Sequence, residues 1–364
     1  MMSAASNSAP ASRLPNRLAA ATFCATFPLI WVGGLVTTTE AGMAVPDWPN
    51  TFGYNLLLYP WTTWIAGPWD IFVEHGHRLF AVGVGMLTIA LLWSLWKFDD
   101  RRWMRVLGVI ALIGVVGQGA IGGMRVLLDE RLLAMTHACV GPLFFTFCVV
   151  LWHFTTSRYR ESESAEVAGA SPNATIAAAR LYPFAFVTAA LAYVQLIFGA
   201  FVRHTPASAP PSAFRAAVLL HLAMAALLSV HIVVVAVRSL RPTNRVAFAG
   251  FGVRGPAWLM SASLIVQLAL GGATWVVNYG FPSWVAAVVA VPEFKIVAGS
   301  LPQVLFTTAH VAVGSLIVAA AALLSARLQL LAAGAGSAAV ASRRVVESSG
   351  RTVSAAPQAW EAAV

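Results

Sequence analysis

Four histidines, His77, His137, His221 and His310, each lie near the start of a long apolar stretch. A neutral imidazole is a strong axial ligand for haem iron, and a ring that titrates near neutrality is costly in an apolar bundle unless it serves a function. Four such rings in two pairs predict two sites, each holding a haem between side chains on facing helices. One pair differs from the other. Glu74 stands three residues before His77, on the same helix face, and Arg78 follows it. A carboxylate beside a haem can hold a proton, orient water or stabilise a developing cation, while Arg78 can pair with Glu74 or with a propionate. The plain alternative is a Glu-Arg pair that caps the helix start. The matching places before and after His221 hold Val218 and Leu222, so the first site reads as reactive and the second as a bis-histidine electron-transfer site.

The elements that must position these groups are membrane helices. The chain has 364 residues, 59% hydrophobic and 10% charged, with mean hydropathy +0.76, the composition of a polytopic membrane protein. Hydropathy places eight apolar segments, each long enough to span a bilayer, near 17–38, 77–97, 105–125, 133–154, 182–202, 214–238, 256–277 and 304–326. The expected fold is all-α: eight transmembrane helices arranged as two tandem four-helix bundles. Residues 1–16 and 329–364, rich in small and polar residues, read as disordered arms. The halves are 17–159 and 182–328, joined by a polar linker over 160–181.

Charge orients the bundle. Seventeen of the 23 Lys and Arg lie in the N-terminal arm, the even-numbered loops and the tail, among them Arg13, Arg17, Arg101, Arg102, Arg160, Arg241, Arg245, Arg343 and Arg344. By the positive-inside rule both termini then face the cytoplasm, and the four histidines lie toward the outer leaflet. The net charge of +9 is a topology signal, since the basic residues are spread over separate loops and form no single nucleic-acid surface. The expected setting is a bacterial plasma membrane: the acid-poor N-terminal arm with its two arginines resembles an organelle-targeting peptide, but it is short and runs straight into the first span, so a mitochondrial inner-membrane address fits less well.

The halves repeat each other. Gln118-Gly119-Ala120-Ile121-Gly122-Gly123 is echoed by Gln267-Leu268-Ala269-Leu270-Gly271-Gly272. His137-x-x-x-Gly141 is echoed by His310-x-x-x-Gly314, and Gly33-x-x-Val36-x-x-Thr39 by Gly199-x-x-Val202-x-x-Thr205. An even helix count per unit makes this a parallel duplication, and its small residues allow close packing or close approach of a flat ligand. The repeat pairs His77 with His137 and His221 with His310. His153, His204 and His231 are read as interfacial residues, and His75 as pointing away from His77 or lying in a loop. Cys24, Cys139 and Cys148 all fall in membrane spans, so no disulfide can form in the first outer loop. The long outer loops, 39–73 and 279–302, are rich in aromatic residues and proline; they read equally as lids over the haem pockets or as interfacial anchors.

Glu74-x-x-His77-Arg78, the single histidines on helices four, six and eight, Gly33-Gly34-Leu35-Val36-Thr37, and the loop Gly42…Pro46-Asp47-Trp48-Pro49 together resemble the haem A synthase family of cytochrome oxidase assembly. The resemblance spans residues 17–328. It implies an oxidoreductase that converts a ring methyl of haem O to the formyl group of haem A through hydroxylated intermediates. His77 and His137 with Glu74 would form the substrate half, and His221 and His310 would hold haem b. Haem O synthase, oxidase assembly factors, membrane lipid and a second copy of the chain are the implied partners. The rival reading is a dihaem b-type protein that passes electrons to or from quinone, which needs the four histidines but not Glu74.

Overall fold

In the computed structural model, residues 12–164, 171–206, 208–291 and 295–352 are described. Among them eight helices are long and apolar enough to cross a membrane. They are α1 (Leu14–Thr38), α2 (Trp69–Phe98), α3 (Arg102–Leu127), α4 (Arg131–Thr155), α5 (Pro172–His204), α6 (Pro211–Leu240), α7 (Arg254–Tyr279) and α8 (Leu301–Thr352). The fold class is all-α and multi-pass, as the sequence predicts.

Helix starts differ from the hydropathy reading because backbone chemistry sets them. Pro68 and Pro210 occupy N-cap positions with extended backbone, and Pro172 follows an N-cap Ser171 whose hydroxyl accepts from the Ala174 amide. Proline suits these places because it lacks an N–H that would be unsatisfied there in any case. α2 therefore begins at Trp69 rather than near 77. The four histidines are correspondingly deeper than the first turn in which the sequence reading puts them. They lie six residues (Arg131 to His137) to ten residues (Pro211 to His221) beyond the first residue of their helices, roughly 9–15 Å along the axis. Two short helices, Ser157–Ser164 and Pro242–Ala247, lie in the connections from α4 to α5 and from α6 to α7, at the opposite end of the bundle. The linker read over 160–181 is thus partly helical, and α8 runs past residue 328, where the tail was read to begin. Residues 1–11 and 353–364 of the two arms lie outside the described residues.

The contacts among the first four helices are matched by those among the second four. α1 lies against α2 and α4 with α3 between those two; α5 lies against α6 and α8 with α7 between those two. Leu91, Leu95, Met104 and Leu151 fill the interior of the first set, and Ile232, Val235, Met260, Leu324 and Leu328 that of the second. Phe145 and Val149 of α4 meet Ala319 and Leu323 of α8. At the same seam Gly34 of α1 lies so close to Thr308 of α8 that a Cβ would stand 2.8 Å from its Cγ2, so only glycine permits that approach. Ile113, Val116, Val230 and Ile265 face outward and exposed, an apolar exterior suited to lipid.

Charged groups tie the ends. At one end the buried Asp99 carboxylate accepts from Arg101 Nε (2.9 Å) and Nη2 (2.8 Å) and from Arg160 Nη2 (2.7 Å). Burial alone would raise the Asp99 pKa; the Arg101 hydrogen bonds and charge, with Arg160, outweigh it and hold the carboxyl below its ordinary range. At the other end the first loop, residues 39–68, is folded on itself. Asp47 accepts from the amides of Phe52 (2.8 Å) and Gly53 (2.7 Å), whose positive φ values of 51° and 80° make the turn. Desolvation works against the Asp47 charge, yet those amides and the nearby Arg78 keep its pKa lowered.

Candidate functional site

Each of the four histidine rings rests on a glycine of a neighbouring helix. A Cβ on Gly33 would stand 3.0 Å from His77 Cε1, one on Gly122 2.8 Å from His137 Cε1, one on Gly199 3.1 Å from His221 Cε1, and one on Gly271 3.1 Å from His310 Cε1. The glycines that mark the repeat are therefore ring seats as well as packing residues. They bring the rings together in two pairs. The centroids of His77 and His137 are 6.4 Å apart, those of His221 and His310 6.3 Å.

These separations suit a haem iron between two imidazoles. Two metal–nitrogen bonds of about 2 Å each, plus the reach from each ring centre to its donor nitrogen, add to a span of this size. Among the described residues no group of three or more His, Cys, Asp or Glu is placed to hold a bare metal ion, so the macrocycle would have to supply the remaining donors. His137 Nδ1 lies 3.1 Å from the Gln118 carbonyl, and the Gln118 side chain donates to the His137 carbonyl at 2.8 Å. Such a bond to the far ring nitrogen fixes tautomer and orientation and leaves Nε2 for a metal. Gln195 Nε2 lies 3.1 Å from His221 Nδ1, and Gln267 Nε2 lies 3.3 Å from His310 Nε2. Among the described residues, the buried Nδ1 atoms of His77 and His310 have no hydrogen-bond partner.

Glu74 lies on α2, one turn before His77, with 2% of its surface exposed. Its Oε1 accepts from Arg78 Nη2 at 2.8 Å and its Oε2 from the Val45 amide at 2.9 Å. Arg78 Nη1 donates to the carbonyls of Asp47 (2.6 Å) and Asn50 (3.0 Å), and Nη2 also to that of Val45 (2.7 Å). Both terminal nitrogens of Arg78 are thus used within the protein, and the Glu74–Arg78 pair pins the outer loop to α2.

His75 is not a loop residue. It is buried on α2, its Nδ1 lies 3.1 Å from Thr51 Oγ1, and its ring packs on Tyr59 and Trp64. His153 does not snorkel; it is buried against Phe154 and Tyr159. The three cysteines are free. Gln195 was missed in the sequence, although it precedes Gly199 by one turn and so falls on the same face. Arg125 and Arg203 lie in the last turns of α3 and α5, close to the histidine pairs.

Residues 68–212 match the profile of a family described as cytochrome oxidase assembly protein. The stretch holds Glu74, His77, Arg78 and His137 and ends at the start of α6. The chain is 30% identical over 185 residues to a haem A synthase of Shouchella clausii, covering 50% of this chain and 56% of that relative. It is 26% identical over 275 residues to a haem A synthase of Exiguobacterium sibiricum, covering 71% of this chain and 83% of that one. The chain resembles the haem A synthases. A third such relative, from Halalkalibacterium halodurans, is 25% identical over 180 residues and matched over 55% of its length, so the chain spans little more than half of two of these three relatives. No solved structure matches the chain.

Proposed function

We propose that the protein is a haem A synthase, a membrane oxidoreductase that converts a ring methyl of haem O to a formyl group through hydroxylated intermediates. The observation that carries this reading is the pair of equivalent histidine couples at 6.4 and 6.3 Å, with a buried carboxylate beside only one of them. Residues 17–159 form the substrate half, with His77 and His137 as ligands of haem O. Residues 182–328 form the cofactor half, with His221 and His310 as ligands of haem b. When held there by His221 and His310, haem b would supply one-electron transfer.

The residues of this chain have distinct tasks in that scheme. The four glycines hold the rings at a fixed distance, and Gln118 sets the His137 tautomer. Glu74 is the proton-accepting group near the substrate, since each of its oxygens keeps a lone pair beyond the bonds to Arg78 and Val45. Arg78 orients that carboxylate through its 2.8 Å hydrogen bond. Both termini face the cytoplasm of a bacterial cell, with haem O synthase, oxidase assembly factors or a second copy as neighbours in the membrane.

Extraction of haems from the purified protein tests the function. Haem b together with haem O, or with hydroxylated and formylated derivatives of it, is the expected result. Two haem b groups with no oxidised product would favour the dihaem electron carrier. Reporter fusions after Arg102, Arg160 and Arg245 should read cytoplasmic, and fusions after Trp61 and Ser283 external.

A further inference from the structure

A cleft of about 720 Å³ opens at the outer ends of α1, α3, α4 and α5, where the two helix sets meet; Arg125, Arg131, Arg203 and His204 line it. Arg125 lies three residues beyond Gly122, the seat of His137, and Arg203 lies four beyond Gly199, the seat of His221. Each is therefore one turn outward of its histidine pair, roughly 5 Å along the helix. The two are not repeat equivalents: Thr274 stands where the second half would have Arg125, and Thr37 where the first would have Arg203.

Arg203 is engaged, its Nη2 donating to the Gly34 carbonyl and to Thr38 Oγ1 across the seam. Arg125 is not. Among the described residues its half-buried guanidinium makes no side-chain hydrogen bond and no salt bridge. Its head packs against the outer loop, since a Cβ on Gly42 would stand 2.8 Å from its Nη1 and 3.0 Å from its Nη2, and it feels the charge of the buried Glu74, whose own hydrogen bonds go to Arg78 and Val45. A guanidinium offers five donors in a planar fork that matches an oxyanion. His204 adds a buried Nε2 with no hydrogen-bond partner among the described residues. The cleft also holds Glu40, Asp129 and Glu130, but these are exposed. Water screens their charges more than it screens the half-buried Arg125.

We propose that Arg125 binds a propionate carboxylate of the haem seated between His77 and His137. This rests on the haem reading given above and adds to it the group that reads the acidic edge of the macrocycle. It also assigns that role away from Arg78, whose terminal nitrogens are spent on Glu74 and the loop carbonyls.

The test uses full-length protein carrying His310→Ala, so that only the first pair can give a bis-imidazole spectrum. It is titrated with iron protoporphyrin IX and, separately, with its dimethyl ester, which lacks the carboxylate charge. The diacid should bind roughly tenfold or more tighter than the diester, the scale of one charge-assisted hydrogen bond. Adding Arg125→Gln should bring the two affinities within about threefold, and Arg125→Lys should keep most of the preference. A variant that merely perturbed folding would weaken both forms alike. Equal affinities without the Arg125 change, or a preference that survives Arg125→Gln, would overturn the assignment. So would loss of co-purified anionic phospholipid in Arg125→Gln with the diacid preference intact, because the cleft would then serve a lipid headgroup. If neither form gives a low-spin spectrum, the haem reading fails first.

Discussion

His75 and His77, two residues apart on α2, serve opposite sides of the helix: one ring is wedged between Tyr59 and Trp64 of the outer loop, the other faces His137. A separation of two positions turns the side chain by about 200°, so a single helix fastens the loop with one face and builds the site with the other. His75→Ala should keep both haems and lower stability by about 2–4 kcal/mol, because a well-packed ring is replaced by a void. His77→Ala should do the converse, removing the haem of the first half with little change in thermal midpoint once that haem is absent. Optical spectra and thermal unfolding of the two purified variants check the contrast. Loss of haem in His75→Ala alone would reverse the assignment of faces.

The ring seats make a second expectation. A methyl at position 122 would press on His137 at 2.8 Å, closer than Cβ contacts run, while one at 271 would meet His310 at 3.1 Å. Overpacking of this kind costs about 1–3 kcal/mol, and the ring is the part that can move. Gly122→Ala should broaden or shift the spectrum of the first-half haem only, and Gly271→Ala that of the second. Since each change touches one pair, the two variants also separate the overlapping spectra. Identical spectra in both would mean that the glycines serve helix packing alone.

Much of this was readable in the sequence, for identifiable reasons. The eight spans follow from runs of apolar residues, and the shared spacing of Gln118…Gly122 and Gln267…Gly271 points to the two glycines that seat His137 and His310. The helix starts were not readable from hydropathy, which registers apolarity and misses the polar and aromatic turns Trp69–Gly76 that Pro68 opens. Nor could local spacing reveal that Arg125 and Arg203, 78 positions apart and at unmatched places in the repeat, line one cleft. That depends on how α3 and α5 pack, a long-range outcome. The tie of Glu74 to the Val45 amide, 29 residues away, is of the same kind.

The opposite end of the bundle supplies a pH test. The Asp99 carboxyl is held below its ordinary range by Arg101 and Arg160. A lowered folded-state pKa stabilises the fold at pH above the unfolded carboxylate value of about 3.9, and that contribution disappears as pH falls through the lower folded value. Asp99→Asn should therefore lower thermal stability near pH 7 by about 1–3 kcal/mol and flatten the acid limb of the stability curve. The deficit relative to the unsubstituted protein should shrink as pH approaches 3. A deficit independent of pH would assign the effect to packing.

Glu74 is the sharpest case, because the structure gives its carboxylate a structural task beside the chemical one proposed for it. Glu74→Gln keeps an oxygen for the Val45 amide and removes the charge that faces Arg78. If the group only fastened the loop, Glu74→Gln and Arg78→Gln should behave alike, each loosening residues 39–68 and lowering activity in proportion to lost folded protein. If Glu74 accepts a proton during oxidation of the methyl group, Glu74→Gln should retain haem and fold yet lower product formation by 100-fold or more, on the order expected for a general base. Arg78→Lys, which leaves the carboxylate in place beside a cation, should then retain more activity than Glu74→Gln. Haem stoichiometry, limited proteolysis of the outer loop and product analysis, made on the same preparations, distinguish the two. Equal turnover in Glu74→Gln and the unsubstituted protein would remove Glu74 from the chemistry and leave the loop clamp as its whole function.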